Sequence, residues 1–275
     1  MKLYAYTIDR GFTDISHILY YQVFSGGEPH VVINDQTSII RNANIWLDAR
    51  PTNGNEFISM LAVLDALRAM RPAKLSLFIP YFPGARQDRR EPGGCFTLKL
   101  YADLIRTANL DAIGVVDPHS DVTAALTGCR VVPQWVFTKI FKGCYDGVIS
   151  PDAGASKKAE KTGETLGVPV FTARKSRNPA TGLLSGFHCD TEDMIPDGEY
   201  LVVDDICDGG RTFVGLAQHI KEKLPNVKLH LYVTFGIFSK GQDELLKYYD
   251  LIFNTSAFRT GNIGCDIHIA GEYIL

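Results

Sequence analysis

Ten short apolar runs, rich in β-branched and aromatic residues, punctuate this chain: KLYAYTI, HVVI, NIWLDA, KLSLFIPYF, AIGVVD, GVISPD, VPVFTA, YLVVDD, KLHLYVTF and LIFNTS. Between several of them lie stretches of helical period. In NEFISMLAVLDALRAM, for example, Phe57, Leu61, Leu64 and Leu67 recur at helical spacing. Strands alternating with helices predict a mostly parallel, doubly wound α/β architecture. Three of the runs end in acidic or polar clusters: GVVDPHSD, VISPDAGASKK and LVVDDICDGGRT. Open parallel sheets bind ligands beyond the carboxyl ends of their strands, so the chemistry is expected at those clusters. The succession of strands and helices is similar before and after the FKGCYDG stretch, which predicts two related domains, 1–143 and 144–275.

The 275 residues suffice for two domains of ordinary size, and 45% apolar with 21% charged residues is ordinary globular composition. A net charge of -3 gives no basic excess, so affinity for nucleic acid or an anionic membrane is not expected. An anionic small-molecule substrate would have to be met by local basic clusters. The six cysteines are far apart and form no CxxC or Cys/His metal spacing, so reduced, mostly buried thiols are expected. The opening MKLYAYTIDRGF does not read as a signal peptide, and no apolar run approaches about 18 residues. A cytoplasmic protein, neither secreted nor membrane-spanning, is the expectation.

The stretch YLVVDDICDGGRTF sets Asp204 and Asp205 directly after a buried apolar strand, where unmet carboxylates are costly. The turn Asp208, Gly209, Gly210, Arg211, Thr212 follows. Backbone amides of such a turn, with the start of the next helix, suit a phosphate, and the carboxylates suit vicinal ribose hydroxyls. The plainer alternative is a strand-loop-helix capped by Thr212, with solvated acids. In IPYFPGARQDRREPGG, Arg86, Gln87, Asp88, Arg89 and Arg90 fill a loop. The arginine fork matches phosphate oxygens, while Gln87 has the groups to read a base edge. His119 follows Asp117 by two positions, and Arg174, Lys175 and Arg177 crowd FTARKSRNPATGLLSG, which reads as a loop or hairpin.

These motifs together resemble the ribose-phosphate diphosphokinase (PRPP synthetase) family. VVDDICDGGRT is similar to a phosphoribosyl-diphosphate binding signature, which the family shares with type I phosphoribosyltransferases. PYFPGARQDRR resembles the family's ATP-binding stretch, which base-transferring phosphoribosyltransferases lack. FSGGE, VVDPHSD, SPDAGASKK, VTFGIFSKGQDEL and FNTSA resemble further family segments in collinear order, over nearly the whole chain. There are departures: Gly26 stands where Asn or Asp is usual, and Ala155 replaces a second glycine. The final turn lacks the usual pattern Asp, Thr, small residue, Gly, Thr, because Gly209 replaces the Thr and Arg211 the Gly.

The resemblance implies two tandem type I phosphoribosyltransferase-like α/β domains, the N-terminal one on the ATP side and the C-terminal one on the ribose-phosphate side. It implies ATP as co-substrate, Mg²⁺, and a homo-oligomer whose ATP site is shared between subunits. By that likeness Phe24 and Glu28 reach a neighbour's adenine pocket, and Arg86, Gln87, Asp88 and Arg89 also bind ATP. Asp117 and His119 would serve metal and phosphate, Asp152, Asp204 and Asp205 the ribose, and Asp208 to Thr212 its 5-phosphate. Lys175 and Arg177 would stabilise the transferring diphosphate from a closing loop. The implied reaction makes PRPP and AMP from ribose 5-phosphate and ATP. Two alternatives are the same chemistry on ADP-ribose, giving its 1″-diphosphate, and a non-catalytic regulatory homologue.

Overall fold

The structure, a computed structural model, describes residues 2–8, 13–177, 184–257 and 265–266. The chain divides into two compact units, Met1–Val132 and Pro133–Tyr273.

The first unit runs β1 (Lys2–Thr7), β2 (Thr13–Asp14), β3 (Leu19–Val23), β4 (Pro29–Ile33), β5 (Asn44–Arg50) and α1 (Gly54–Ala69). It continues through β6 (Lys74–Phe78), α2 (Thr97–Arg106), β7 (Ala112–Val116), α3 (Val122–Thr127) and β8 (Arg130–Val132). Its main sheet has the order β2-β1-β5-β6-β7-β8. The steps from β5 to β8 are parallel, whereas β1 lies antiparallel to β5, with Lys2 opposite Arg50 and Thr7 opposite Ile45. Helix α1 starts where the Asn53 side chain accepts the Glu56 amide at 3.0 Å and Glu56 in turn accepts the Thr52 amide at 2.7 Å, a reciprocal cap. Its inward residues Phe57, Leu64 and Leu67 are buried, with Leu61 packed at the margin of the same core. The separate hairpin of β3 and β4 packs on α1.

The second unit contains α4 (Trp135–Thr138), β9 (Gly147–Ser150), α5 (Ser156–Leu166), β10 (Val170–Thr172), β11 (Arg174–Arg177) and β12 (Leu184–His188). Then come β13 (Glu199–Cys207), α6 (Arg211–Lys223), β14 (Lys228–Gly236), α7 (Asp243–Leu246), β15 (Leu251–Ala257) and β16 (Cys265–Asp266). Its sheet, β10-β9-β13-β14-β15-β16, is parallel throughout. From β9 the chain steps one way to β10, and from β13 the other way to β14. The succession therefore reverses between β9 and β13, the kind of crevice where doubly wound sheets take ligands.

The division falls between Val132 and Pro133 instead of near residue 143. Gln134 donates through Nε2 to the Asp204 carbonyl at 2.5 Å and to Thr234 Oγ1 at 3.0 Å. Phe141 packs against the rings of Tyr145, Tyr232 and Phe253. Gln134, ahead of FKGCYDG, and Phe141, its first residue, are thus both tied to the sheet that follows them.

Candidate active site

In the second unit the site grows from the ends of β9 and β13. Strand β13 continues through Asp204 and Asp205 to Cys207, so the two acids belong to the strand and do not follow it. The buried run Tyr200 to Val203 fixes this end of the sheet, and each such side chain contributes about 1.5–3 kcal/mol by leaving water. Asp205 is itself buried, and its Oδ2 meets Lys158 Nζ of α5 at 3.5 Å. The Asp205 amide donates to Asp204 Oδ1 at 2.8 Å. Burial first, and then the charge of Asp205, hold the Asp204 carboxyl well above the usual carboxylate range, with Asp152 pushing the same way. One acid of the pair is therefore matched by a cation, while its neighbour holds a proton more readily than an ordinary Asp.

Asp152 lies in the turn after β9. Its Oδ1 accepts the amides of Gly154 at 2.9 Å and Ala155 at 3.2 Å, and Ser150 Oγ donates to its carbonyl at 2.7 Å. Ala155 has φ -83°, an ordinary conformation, which explains why the expected glycine is dispensable here.

After Cys207 the chain turns into α6. Gly210, at φ +76°, occupies the N-cap without a side-chain cap, and Thr212 lies inside the helix, so the Thr212 cap of the plainer alternative is not formed. A left-handed N-cap suits glycine and leaves the first helical amides uncovered by a side chain. Arg211, the first helical residue, is exposed. A Cβ placed on Gly209 would lie 3.7 Å from Lys240 Cδ, so the lysine stem runs alongside this turn. The Cys207 thiol is pushed up to about 12 by burial and then by Asp204 and Asp208, which excludes it as a thiolate nucleophile near neutral pH.

Lys175 and Arg177 lie on β11, paired with β12 so that Lys175 is opposite Phe187 and Arg177 opposite Leu184. FTARKSRNPATGLLSG is thus a hairpin, whose Asn178-Pro179 and Thr181-Gly182 lie outside the described residues.

In the first unit, Arg86, Gln87, Asp88 and Arg89 occupy the loop after β6, and Asp117 and His119 follow the adjacent strand β7. Backbone bonds from Ile79 to Gly114 and from Val116 to Pro80 hold the two exits together at 2.9 and 3.0 Å. Gly84, at φ +73°, turns the loop; a Cβ there would come within 3.0 Å of the Leu98 amide nitrogen. Arg86, Gln87 and Arg89 are exposed, Arg89 donating to Glu91 at 2.7 Å, and Asp88 is half-buried. Asp117 is buried at φ +37°, an uncommon conformation for Asp, and its amide donates to the Val132 carbonyl at 2.9 Å. His119 is exposed. Among the described residues no three of His, Cys, Asp and Glu gather as a metal-holding group.

Phe24 and Glu28 sit at the tip of the β3–β4 hairpin, where the Phe24 amide donates to the Glu28 carbonyl at 2.9 Å. Phe24 is 52% exposed. The Glu28 carboxylate folds back over Gly26, and a Cβ on Gly26 would lie 2.5 Å from it.

Three residues of this geometry are absent from the sequence reading: Lys158, Lys240 and Gln134. Lys158 had a signal, since SKK opens the helix beside an unbalanced acid pair. Lys240 and Gln134 come from segments distant in sequence, and only the sheet order brings them to β13.

The N-terminal domain of ribose phosphate pyrophosphokinase matches residues 17–108. Ribose-phosphate pyrophosphokinase of Aquifex aeolicus is 31% identical over 232 residues, covering 78% of this chain and 70% of that protein. The chain belongs to the ribose-phosphate pyrophosphokinase family. The Campylobacter jejuni member is 32% identical over 217 residues, 73% of this chain and 66% of that protein. For the Thermosipho africanus member the values are 29% over 209 residues, 73% and 65%, so the match spans about two thirds of the length of these relatives. The fold agrees with the crystal structure of phosphoribosylpyrophosphate synthetase from Mycobacterium smegmatis, with a TM-score of 0.70 at 24% identity over 86% of this chain and 79% of that one. No helix among the described residues is long and apolar enough to cross a membrane.

Proposed function

We propose that this family member is a cytoplasmic, homo-oligomeric transferase that moves the β,γ-diphosphate of ATP to the anomeric hydroxyl of ribose 5-phosphate. The hydroxyl oxygen bonds to the β-phosphorus, the bond from that phosphorus to the α,β-bridging oxygen breaks, AMP leaves and the hydroxyl proton passes to water. The observation that carries the reading is the Asp204–Asp205 pair, matched by Lys158 and set beside the glycine-capped start of α6. Such a pair suits two vicinal hydroxyls, and uncovered helix amides suit a terminal phosphate.

The other roles follow the family pattern. Asp152 supports the ribose side, and Asp208 to Thr212 take the 5-phosphate. Arg86, Gln87, Asp88 and Arg89 bind ATP with Phe24 and Glu28 of a neighbouring subunit. Asp117 and His119 face metal and phosphate. The Asp117 carboxylate suits Mg²⁺, which takes oxygen ligands and keeps waters, with His119 meeting phosphate or a metal-bound water, and the ion would neutralise charge on the diphosphate. Lys175 and Arg177 add cations to the transferring group. Catalysis of this kind rests on alignment and charge.

A second reading concerns the acceptor. Arg211 and Lys240 both border the turn, and Gly209 leaves the Lys240 stem close to its backbone. Two cations there favour a 5′-diphosphate ester, making ADP-ribose the acceptor. Incubation with ATP and Mg²⁺ plus either ribose 5-phosphate or ADP-ribose, with product analysis, tests both readings. PRPP with AMP supports the first and ADP-ribose 1″-diphosphate with AMP the second. AMP from neither supports the non-catalytic homologue.

A further inference from the structure

Strand β12 and the residue after it are fixed to helix α6 at two points one helical turn apart. A Cβ built on Gly215 would lie 2.4 Å from Phe187 Cε2 and 3.1 Å from Cδ2, so the aromatic ring rests directly on the helix backbone. Four residues further along the helix, on the same face, His219 Nε2 accepts the Cys189 amide at 3.4 Å. Cys189 is fully buried and Phe187 packs against the core of this unit. Across the hairpin, Phe187 is the register partner of Lys175. Gly215 follows Gly210, the N-cap beside the Asp208 to Thr212 turn, by about 7 Å of helix axis at ~1.5 Å per residue. One helix therefore carries the turn at its start and, less than one and a half turns in, the seat of the hairpin.

From this we infer that Phe187 and Gly215 are positioning residues: the ring seated on the bare backbone at Gly215 sets where the Lys175 segment stands relative to the Asp208 to Thr212 turn. Glycine is a poor residue for a helix interior, and here its missing side chain is what lets the ring approach. The inference rests on the reading of Lys175 as a group acting on the transferring diphosphate, because the seat matters to turnover only if that strand does.

The test is a cycle of Gly215→Ala, Phe187→Leu and the double variant, with Lys175→Ala measured alongside. Alanine favours the helix intrinsically, so Gly215→Ala should fold, yet its methyl must displace the ring. Misplacement of a positioned group by about 1 Å can lower rate as much as 10²-fold. The expected result is a 10-fold or greater loss of kcat in Gly215→Ala with KM for both substrates within about 2-fold. Phe187→Leu in that background should restore part of the loss. Hydrogen exchange reads the same contact without turnover: amides of residues 184–189 should exchange faster in Gly215→Ala than in the wild type. Wild-type exchange in Gly215→Ala, or losses that simply add in the double variant, overturns the inference. If Lys175→Ala keeps full turnover while exchange still rises in Gly215→Ala, the seat stands as a structural contact and it is the catalytic reading that fails. Loss in Lys175→Ala with none in Gly215→Ala overturns the positioning role alone.

Discussion

Lys158 Nζ stands 3.5 Å from Asp205 Oδ2, joining the start of α5 to the end of β13 across the point where the strand succession reverses. The lysine retains 21% side-chain exposure and the aspartate 7%, so water screens the pair only in part. Removing the cation would leave Asp205 buried beside Asp204 with less to offset its charge. Lys158→Met is expected to lower unfolding free energy by about 1–3 kcal/mol and to raise KM for the ribose acceptor roughly 10-fold. Urea unfolding and initial rates check this, and Lys158→Arg should recover most of both. A Lys158→Met protein as stable and as avid as wild type would refute the pairing.

Asp204 gives a pH-dependent prediction of opposite sign to that of an ordinary ion-paired acid. Its folded pKa is raised above the 3.8 of a free aspartate, first by burial and then by Asp205. The folded state therefore keeps a proton that the unfolded state has already released. The native form binds more protons in that interval, so Asp204 makes stability fall as pH rises from about 4 toward its folded pKa. Asp204→Asn should raise Tm without ligands, by a margin that grows from pH 4 to pH 8, while lowering turnover at least 10-fold. A Tm difference that does not change with pH contradicts the shifted titration.

Much of this was legible in the chain. All ten apolar runs became strands; several are buried between layers, as with Tyr200 to Val203, whereas HVVI became the half-buried β4 of the hairpin on α1. The antiparallel direction of β1 was not legible, since a run with Tyr4 exposed and Ala5 and Thr7 buried reads alike in either direction. The β3 strand was hidden because Tyr20, Tyr21, Gln22 and Val23 are all exposed and show no inward face. Local sequence left Thr212 open as a helix cap, the plainer alternative, whereas the cap is Gly210, in a left-handed conformation that only the turn dictates. The acidic clusters themselves were readable, because charge at the end of an apolar strand is unusual. Their partner Lys158 was missed because SKK marks a basic helix start without saying which acids that helix meets, which the sheet order decides.

The hairpin cations should act on rate more than on binding. Lys175→Ala and Arg177→Ala are each expected to reduce kcat by about 10²- to 10³-fold, with Kd for ATP changed much less, because their charge meets the diphosphate as it transfers. Single-turnover rates and equilibrium titration separate the two effects. Near wild-type turnover in both variants would remove β11 from the mechanism.

Assembly should matter as well. Phe24 is 52% exposed at a hairpin tip, its ring only tilted over His30 with centroids 5.5 Å apart. If it completes a neighbour's adenine pocket, dilution to monomer should abolish activity, and Phe24→Ala should raise KM for ATP about 10-fold or more. Light scattering at assay concentration decides the matter: a monomer with full specific activity is incompatible with a shared site.

The choice of acceptor turns on the two cations at the α6 turn. Ribose 5-phosphate brings a terminal dianion that the amides beginning at Gly210 can meet alone, whereas ADP-ribose brings a bridging diphosphate with its charge spread over two phosphorus centres. Arg211 is exposed at the first helical position, and Lys240 runs past Gly209 with its Cδ 3.7 Å from where a Cβ would stand. Both can reach beyond a terminal phosphate without crowding it. If ADP-ribose is the acceptor, Arg211→Ala and Lys240→Ala should each lower kcat/KM for ADP-ribose about 10-fold and leave that for ribose 5-phosphate within about 2-fold, since each charge-assisted contact contributes roughly 1.5–3 kcal/mol before solvent screening. Raising the salt concentration should reduce the ADP-ribose rate more steeply, as it does for exposed charges. A wild-type preference for ribose 5-phosphate that neither substitution alters would rule the larger acceptor out and leave Arg211 and Lys240 as solvated surface charges.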